Sequence, residues 1–405
     1  MSKKTSKKNK KNEKKRKINF KLVGICAAAL LLIVAVTSTC LIIRKKINDR
    51  TVRIAFYGLS DEIQTMLKEK IPQEEKVILR FDNLAERDFD AAVIKRKYDM
   101  LFTWRGEITD YLSESSEDIP QRILETIPRS LRNKKCIPIL LDHCELAYRK
   151  DLIGNDTDNL PVSFRDFEGF LEYAKSKVFS PFFCSGAEDR ILIDFLGALV
   201  QAKGGLASYN ALIAELRQAE TLQDILDKNL AGVTLREILD LLKSWPDQGY
   251  THPDWYRGRG NDITYFAQSK QLAVFFTLLS EHRNISYNIV KDFESAKFGT
   301  DKNANNYGLI APAVSAMLIS NNSNCKRYLA EFFKEENQIY FSNKTMLAPV
   351  HYQAEAYDRQ ADDVRFWAAS CAGGAVPDIF LAVYQRKTAA LEKMAAEIRD
   401  YLKSL

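Results

Sequence analysis

The chain has 405 residues, of which 46% are hydrophobic and 28% are charged, a balance typical of a globular protein with room for two lobes. The net charge of +6 is unevenly distributed. Residues 1–21 carry eleven positive charges and one negative charge, and residues 44–50 add a net three positive charges, so residues 51–405 carry −7. The positive total therefore does not indicate a nucleic-acid-binding protein. Seven cysteines without CxxC spacing exclude a domain built on disulfides.

The first feature along the chain is an apolar segment, Leu22–Ile43, which contains no charged residue. At about 1.5 Å per residue, a helix of this length spans a bilayer core of roughly 30 Å. The more positive flank precedes it, which predicts a cytoplasmic basic tail at 1–21 and an extracytoplasmic body. Two alternatives remain open. A cleaved signal peptide usually has a shorter apolar core, and a lipoprotein signal with Cys40 as acceptor is disfavoured by the preceding Thr39.

The body begins with alternating strand and helix patterns. The predicted strands are Thr51–Tyr57, Lys76–Phe81 and Tyr98–Trp104, and the predicted helices between them are Glu62–Lys70 and Glu86–Lys97. This order predicts a parallel sheet covered by helices. Ligands of such sheets bind beyond the carboxyl ends of the strands, so Tyr57 and Trp104 are candidate cleft residues.

A run of four polar residues, Asp142 to Glu145, follows an apolar stretch and includes a histidine and a cysteine. Neighbouring residues of a strand point to opposite faces, so at most two of the four side chains share a side. A metal site needs further ligands, and the chain offers only three other imidazoles, His252, His282 and His351. We therefore predict no metal here. Asp142 and His143 either line a cleft or make structural hydrogen bonds.

Catalytic signatures are missing from the sequence. It contains no Gly-x-Ser-x-Gly, no Gly-x-x-x-x-Gly-Lys-Ser/Thr and no His-Glu-x-x-His, and its four histidines are scattered. The sequence therefore predicts a protein that is not an enzyme and that carries no cofactor.

Several degenerate segments occur in a characteristic order. Tyr148–Leu152 reads Tyr-Arg-Lys-Asp-Leu, and Pro161–Phe167 leads into an amphipathic helix. Tyr307–Val350 combines a small-residue strand, an amphipathic helix and a turn with proline, and Phe366-Trp367 precedes small residues. In this order the chain resembles the extracytoplasmic, or periplasmic, solute-binding proteins of ABC importers, family 1, in the branch similar to maltose-binding proteins. The end of the chain, Ala390–Ile398, also resembles that family.

The resemblance implies an α/β, two-lobed periplasmic-binding-protein type II fold with a hinge, here preceded by one N-terminal transmembrane helix. Lobe one would comprise 51–141 and 311–360, and lobe two would comprise 142–310 and 361–405. The ligand would lie in the cleft between the lobes, which close upon it. The residues implied to bind it are Tyr57, Trp104, Asp142, His143 and Trp367.

The function implied by the resemblance is capture of a small solute, with a sugar or oligosaccharide favoured, for an ABC permease. The protein would be a single-pass protein of the cytoplasmic membrane, held there by 22–43, with no nucleic-acid partner. One departure weakens the carbohydrate prediction: Thr277–Ser280 stands where sugar binders of the family often have glycine and an aromatic residue. The alternative is a membrane-tethered accessory or sensory protein that keeps the binding fold without feeding a transporter.

Overall fold

The computed structural model describes residues 32–33, 36–39, 50–85, 89–154, 160–301 and 306–403. The basic tail 1–21 lies outside these residues, as does most of the predicted span 22–43. Within the described part of the chain, no helix is both long enough and apolar enough to cross a membrane. Residues 52–74 and those from 79 onward form one structural unit, and the remainder forms a second. Apart from Thr51 and Ile78, the first residues of the strands Thr51–Tyr57 and Ile78–Leu84, the features discussed below lie in the first of these units.

The first sheet has six strands in the order β11-β4-β10-β3-β1-β2. Its strands are β1 Thr51–Tyr57, β2 Ile78–Leu84, β3 Met100–Trp104, β4 Ile137–Leu141, β10 Ala313–Leu318 and β11 Ala348–Pro349. As the sequence predicts, β1 and β3 pair in parallel, with Ile54 opposite Met100. Strand β10 returns from far along the chain and pairs antiparallel with both β3 and β4. Two sequence-distant parts of the chain therefore share one sheet.

Four of the helices beside this sheet begin at a side-chain cap, supplied by Ser60, Asp90, Asn322 and Asp358. The helices beside this sheet are α1 Asp61–Glu69, α2 Ala91–Lys97, α3 Glu107–Ser113, α4 Gln121–Leu124, α13 Ser323–Glu331, α14 Glu335–Thr345 and α15 Arg359–Ser370, with a 3-10 turn at Arg129–Leu131. The Ser60 hydroxyl accepts a hydrogen bond from the Ile63 amide at 3.3 Å, as expected of an N-cap. Helix α2 is shorter than predicted because the Asp90 carboxylate caps it at 2.7 Å from the Ala92 amide.

The second sheet has four strands in the order β6-β7-β5-β8. Its strands are β5 Cys144–Arg149, β6 Ser180–Cys184, β7 Leu272–Leu278 and β8 Phe293–Ala296. Strand β5 runs antiparallel to both β7 and β8, and β6 runs parallel to β7. Every residue of the four strands is buried, polar ones included. The polar side chains at these positions therefore need internal partners.

Helices surround the second sheet and share one aromatic core. They are α5 Lys150–Ile153, α6 Phe164–Ala174, α7 Asp189–Gly204, α8 Leu206–Leu216, α9 Leu235–Gln248, α10 Gly260–Gln268, α11 Leu279–His282, α12 Tyr287–Val290 and α16 Thr388–Lys403, with 3-10 turns at Leu222–Asp224 and Trp255–Arg257. Trp245 is fully buried, with its ring centroid 5.3 Å from that of Phe182. Helix α9 continues through Pro246 to Gln248, and its C-cap is Gly249, whose φ is 76°. The five cysteines of the described chain are buried and unpaired.

The chain crosses between the two sheets at several points. Asp142-His143 joins β4 to β5, and Ala311-Pro312 joins β9 Leu309–Ile310 to β10. Strand β12 Ala375–Val376 pairs in parallel with β9. After β12 a π-helical segment, Phe380–Tyr384, precedes α16.

Helix α15 packs against elements of the first sheet. The Arg365 guanidinium donates to the His351 carbonyl at 2.8 Å, and the Ser130 hydroxyl donates to the Ala368 carbonyl at 3.0 Å. Gly374, just beyond this helix, has φ of 62°, and a Cβ there would lie 2.2 Å from the Ser130 carbonyl oxygen. Only glycine satisfies both the conformation and the close approach.

Candidate functional site

A cavity of about 360 Å³ lies between helix α15 and strand β8. Helix α15 contributes Arg359, Asp363 and Trp367. These residues are four positions apart, so their side chains lie on the same face of the helix. The other wall consists of residues 294–297, in β8 and just after it, and the loop 160–162. The cavity thus has an aromatic face on one side and charged groups around it.

The indole of Trp367 packs against the imidazole of His143. The ring centroids of the two side chains lie 5.4 Å apart, with their planes at 55°. Val364 and Ala368 anchor the buried face of α15, whereas Trp367 keeps part of its surface accessible. The helix begins at Asp358, whose carboxylate accepts from the Ala361 amide at 3.0 Å. The indole is therefore fixed in orientation before any ligand arrives.

His143 is buried, with 1% of its surface exposed, and among the described residues its Nδ1 finds no hydrogen-bond partner. Burial lowers the pKa of His143 to about 4, and Lys297 acts in the same direction. Glu145, whose Oε2 lies 4.0 Å from Nδ1, opposes this shift. The imidazole is therefore neutral at pH 7 and presents an uncharged ring to Trp367.

The carboxylates beside His143 are occupied by internal hydrogen bonds. Glu145 is fully buried and accepts from Nδ1 of His282 at 2.5 Å and from the Ser295 hydroxyl. Asp142 accepts from the Ser280 hydroxyl at 2.5 Å and the Ser280 amide at 3.0 Å. Burial raises the pKa of Asp142 further than these hydrogen bonds lower it. Through these hydrogen bonds, Glu145 links strand β5 to α11 and β8, and Asp142 links the connection before β5 to Ser280 of α11.

Two predicted site residues lie elsewhere. Tyr57 is 4% exposed, and its hydroxyl donates to the Gln385 carbonyl at 3.4 Å. Trp104 is half-buried, and its carbonyl accepts from the Gln385 side-chain amide at 3.1 Å. Neither lines the Trp367 cavity. Of the five predicted residues, the structure brings His143 and Trp367 into ring contact, with Asp142 adjacent in the chain.

Sequence reasoning missed four charged residues of the cavity, which are Glu294, Lys297, Arg359 and Asp363. Asp363 precedes Trp367 by one helical turn. Had the sequence analysis predicted a helix here, this spacing would have placed Asp363 on the same face as Trp367. Burial raises the pKa of Asp363. The β8 residues carried no comparable signal, because Phe-Glu-Ser-Ala lacks the usual composition of a buried strand.

Ion pairs connect the start of α15 to the elements around the second sheet. The Arg283 guanidinium makes two hydrogen bonds to the Asp358 carboxylate, each of 2.7 Å. Arg359 forms an ion pair with Glu294, which also lies 3.7 Å from the Lys150 amine. These ion pairs therefore connect the N-terminal end of α15 to the end of α11 and to strand β8, which forms part of the opposite wall of the cavity.

A further buried cluster contains Cys144, Asp194 and Asp378, whose potential ligand atoms lie within 4.8 Å of one another. The Arg190 guanidinium already donates to Asp378 at 2.7 Å and lies 3.5 Å from Asp194. Burial, followed by the neighbouring Asp378, raises the pKa of Asp194 well above its usual value. The Arg190 guanidinium therefore supplies the positive charge that faces both carboxylates of this cluster.

The sequence matches no family model and no curated protein. The structure is similar to that of AcbH, described as a bacterial solute receptor with an exclusive preference for β-D-galactopyranose, at 11% identity and a TM-score of 0.67, covering 87% of this chain and 95% of AcbH. It is also similar to apo RafE from Streptococcus pneumoniae, at 11% identity and a TM-score of 0.61, covering 87% and 98%.

A third similar structure is a chitin oligosaccharide binding protein, at 14% identity and a TM-score of 0.58, covering 87% of this chain and 97% of that protein. Identities this low establish the fold alone. The chain has the mixed α/β, two-lobed fold of solute-binding proteins. The maltose-binding-like branch implied by the sequence is not distinguished by these comparisons.

Proposed function

We propose that this protein captures a sugar or oligosaccharide outside the cytoplasmic membrane and delivers it to an ABC importer, without catalysing a reaction. The observation that carries the proposal is the Trp367 cavity, where a partly accessible indole lies beside charged side chains. The similar structures AcbH, RafE and the chitin oligosaccharide binding protein are themselves described as sugar or solute binders.

The chemistry of the cavity suits a saccharide. An indole face packs against the apolar face of a sugar ring, and the groups around it can donate to and accept from the hydroxyls at its edge. Asp363 and Glu294 supply acceptors, and Lys297 supplies a donor. The aromatic platform missing at Thr277–Ser280 is thus replaced, in this proposal, by Trp367 on α15.

The proposed lobes follow the two sheets. We assign 51–141 and 311–374 to lobe one, and 142–310 with the residues from 375 onward to lobe two. The second boundary differs from the sequence-based boundary at 360, because Arg365 and Ala368 of α15 make hydrogen bonds to His351 and Ser130, beside the first sheet. Under this assignment the Trp367 cavity lies in the interlobe cleft and His143 lies in a hinge crossing. The proposal retains 22–43 as the membrane anchor.

A saccharide screen tests the proposal directly. The full chain, purified in detergent, is heated with mono- and oligosaccharides, and positive samples are titrated by calorimetry. A ligand present at 100 times its Kd stabilises the folded state by about 2.7 kcal/mol, which raises Tm by several degrees. If no saccharide raises Tm, the proposal is refuted. Saccharide binding without saccharide uptake by cells that express the protein would instead favour the accessory or sensory role.

A further inference from the structure

A second, larger cavity of about 630 Å³ adjoins the Trp367 cavity, and Glu294 and Arg359 line both. On its far side it is bordered by helices α11 and α12 and by the chain leading into β8. Tyr287 and Tyr357 stand exposed at its rim. The two cavities form neighbouring compartments of one groove, separated by the ion pair of Arg359 with Glu294.

The groove is more positive than the body that contains it. The carboxylates along it are Glu294, Asp358 and Asp363, and the cationic side chains along it are Lys150, Arg283, Lys291, Lys297 and Arg359. Positive charges therefore exceed negative ones by two, whereas residues 51–405 as a whole carry −7. A positive concavity in an acidic protein concentrates anions from solution.

Three of the five cations pair with two of the three carboxylates, and Asp363 forms no ion pair with a described residue. Arg283 forms an ion pair with Asp358, and both Lys150 and Arg359 form ion pairs with Glu294. In the described chain, no carboxylate lies within ion-pair distance of Lys291 or Lys297. Lys291 is exposed in the larger cavity, and Lys297 is half-buried beside Trp367. The amine of Lys297 lies over the Tyr307 ring, 5.6 Å from its centroid, so Lys291 is the cation of the groove that is left to pair with an anionic ligand.

We infer that the ligand of this groove is an acidic saccharide, whose anionic group lies in the larger cavity beside Lys291 and Arg359 while a sugar ring covers Trp367. The inference rests on the proposed function and specifies its substrate class. Lys291 and Lys297 flank the extended strand β8 and are separated by roughly 20 Å of chain. A ligand that spans from the indole to Lys291 is therefore an oligosaccharide, and its acidic group is a carboxylate or a phosphate.

Three matched oligosaccharides test the inference by calorimetry on the full chain. They end in a uronic acid, a 6-phosphosugar or the corresponding neutral hexose. At least one acidic form should bind about tenfold tighter than the neutral form, the range of one charge-assisted hydrogen bond. That preference should shrink as salt is added, since the attraction is screened. The stronger of the two acidic forms identifies the source of the negative charge.

Lys291→Gln should weaken binding of the acidic oligosaccharide about tenfold. Lys228→Gln, the same change at an exposed lysine that lines neither cavity, should leave it unaltered. Equal affinity for neutral and acidic forms, or equal effects of the two substitutions, would overturn the inference while the proposed function stands. If no saccharide of either kind binds, the proposed function itself fails.

Discussion

Removal of the His143 titration should change how stability depends on pH. The folded protein holds the pKa of His143 at about 4, against 6.5 for the free side chain. Between pH 6.5 and pH 4, His143 is protonated in the unfolded chain but neutral in the folded protein. The free energy of unfolding therefore falls as the pH falls. A difference of about 2.5 pKa units corresponds to about 3 kcal/mol. This contribution is complete at pH 7 and lost by about pH 4.

His143→Phe keeps an aromatic ring against Trp367 and removes the titration. Urea unfolding of the wild type and the variant at pH 7 and pH 4.5 gives the change in unfolding free energy for each protein. The wild type should lose about 2–3 kcal/mol more than the variant over this interval. Asp142, whose raised pKa acts in the opposite direction, is present in both proteins and cancels in the comparison. The same pH dependence in both proteins would refute the proposed environment of His143.

Three further substitutions probe the packing around the site. Arg283→Ala removes the two guanidinium hydrogen bonds from the carboxylate of Asp358, which in the described chain keeps only the one from the Ala361 amide, and should cost about 2 kcal/mol in urea unfolding. Arg236→Ala, at an exposed ion pair, should cost under about 1 kcal/mol. Gly374→Ala should cost about 3 kcal/mol, because it adds left-handed strain and a carbonyl clash; a cost under about 1 kcal/mol would contradict that geometry. Tyr57→Phe should leave saccharide affinity unchanged, because Tyr57 lies outside the Trp367 cavity; a large loss in calorimetry would return it to the site.

The parts of the fold that the sequence indicated are those with strong local signals. Strand β1 alternates and is rich in β-branched residues, and Ser60 is a good N-cap, so both were found where predicted. Strand β8 was missed because its buried polar residues, Glu294 and Ser295, find their partners far along the chain, at Arg359 and Glu145 respectively. The continuation of α9 through Pro246 depends on the buried Trp245 rather than on local propensity.

Two residues of the candidate site, His143 and Trp367, were predicted from the family resemblance rather than from a local sequence pattern. His143 and Trp367 are distant in the chain, and no periodicity connects them; the family resemblance suggested both, and the structure places their rings in contact. Tyr57 and Trp104 were selected from the general rule for strand ends. In this chain the Gln385 side chain and carbonyl occupy the space beside them. That arrangement depends on the terminal π-helical segment, which the sequence did not indicate.

The central claim is that Trp367 is the face on which a saccharide binds, and a pair of neighbouring substitutions tests it. Trp367→Ala removes the indole from the cavity, and Phe366→Ala removes an adjacent ring that is 66% exposed and does not line the cavity. Calorimetric titration with the saccharide found in the screen should show a loss of about 2 kcal/mol or more, roughly thirtyfold, for Trp367→Ala. Phe366→Ala should bind as the wild type does. Unchanged affinity in a folded Trp367→Ala protein, or equal losses in both variants, would contradict the account.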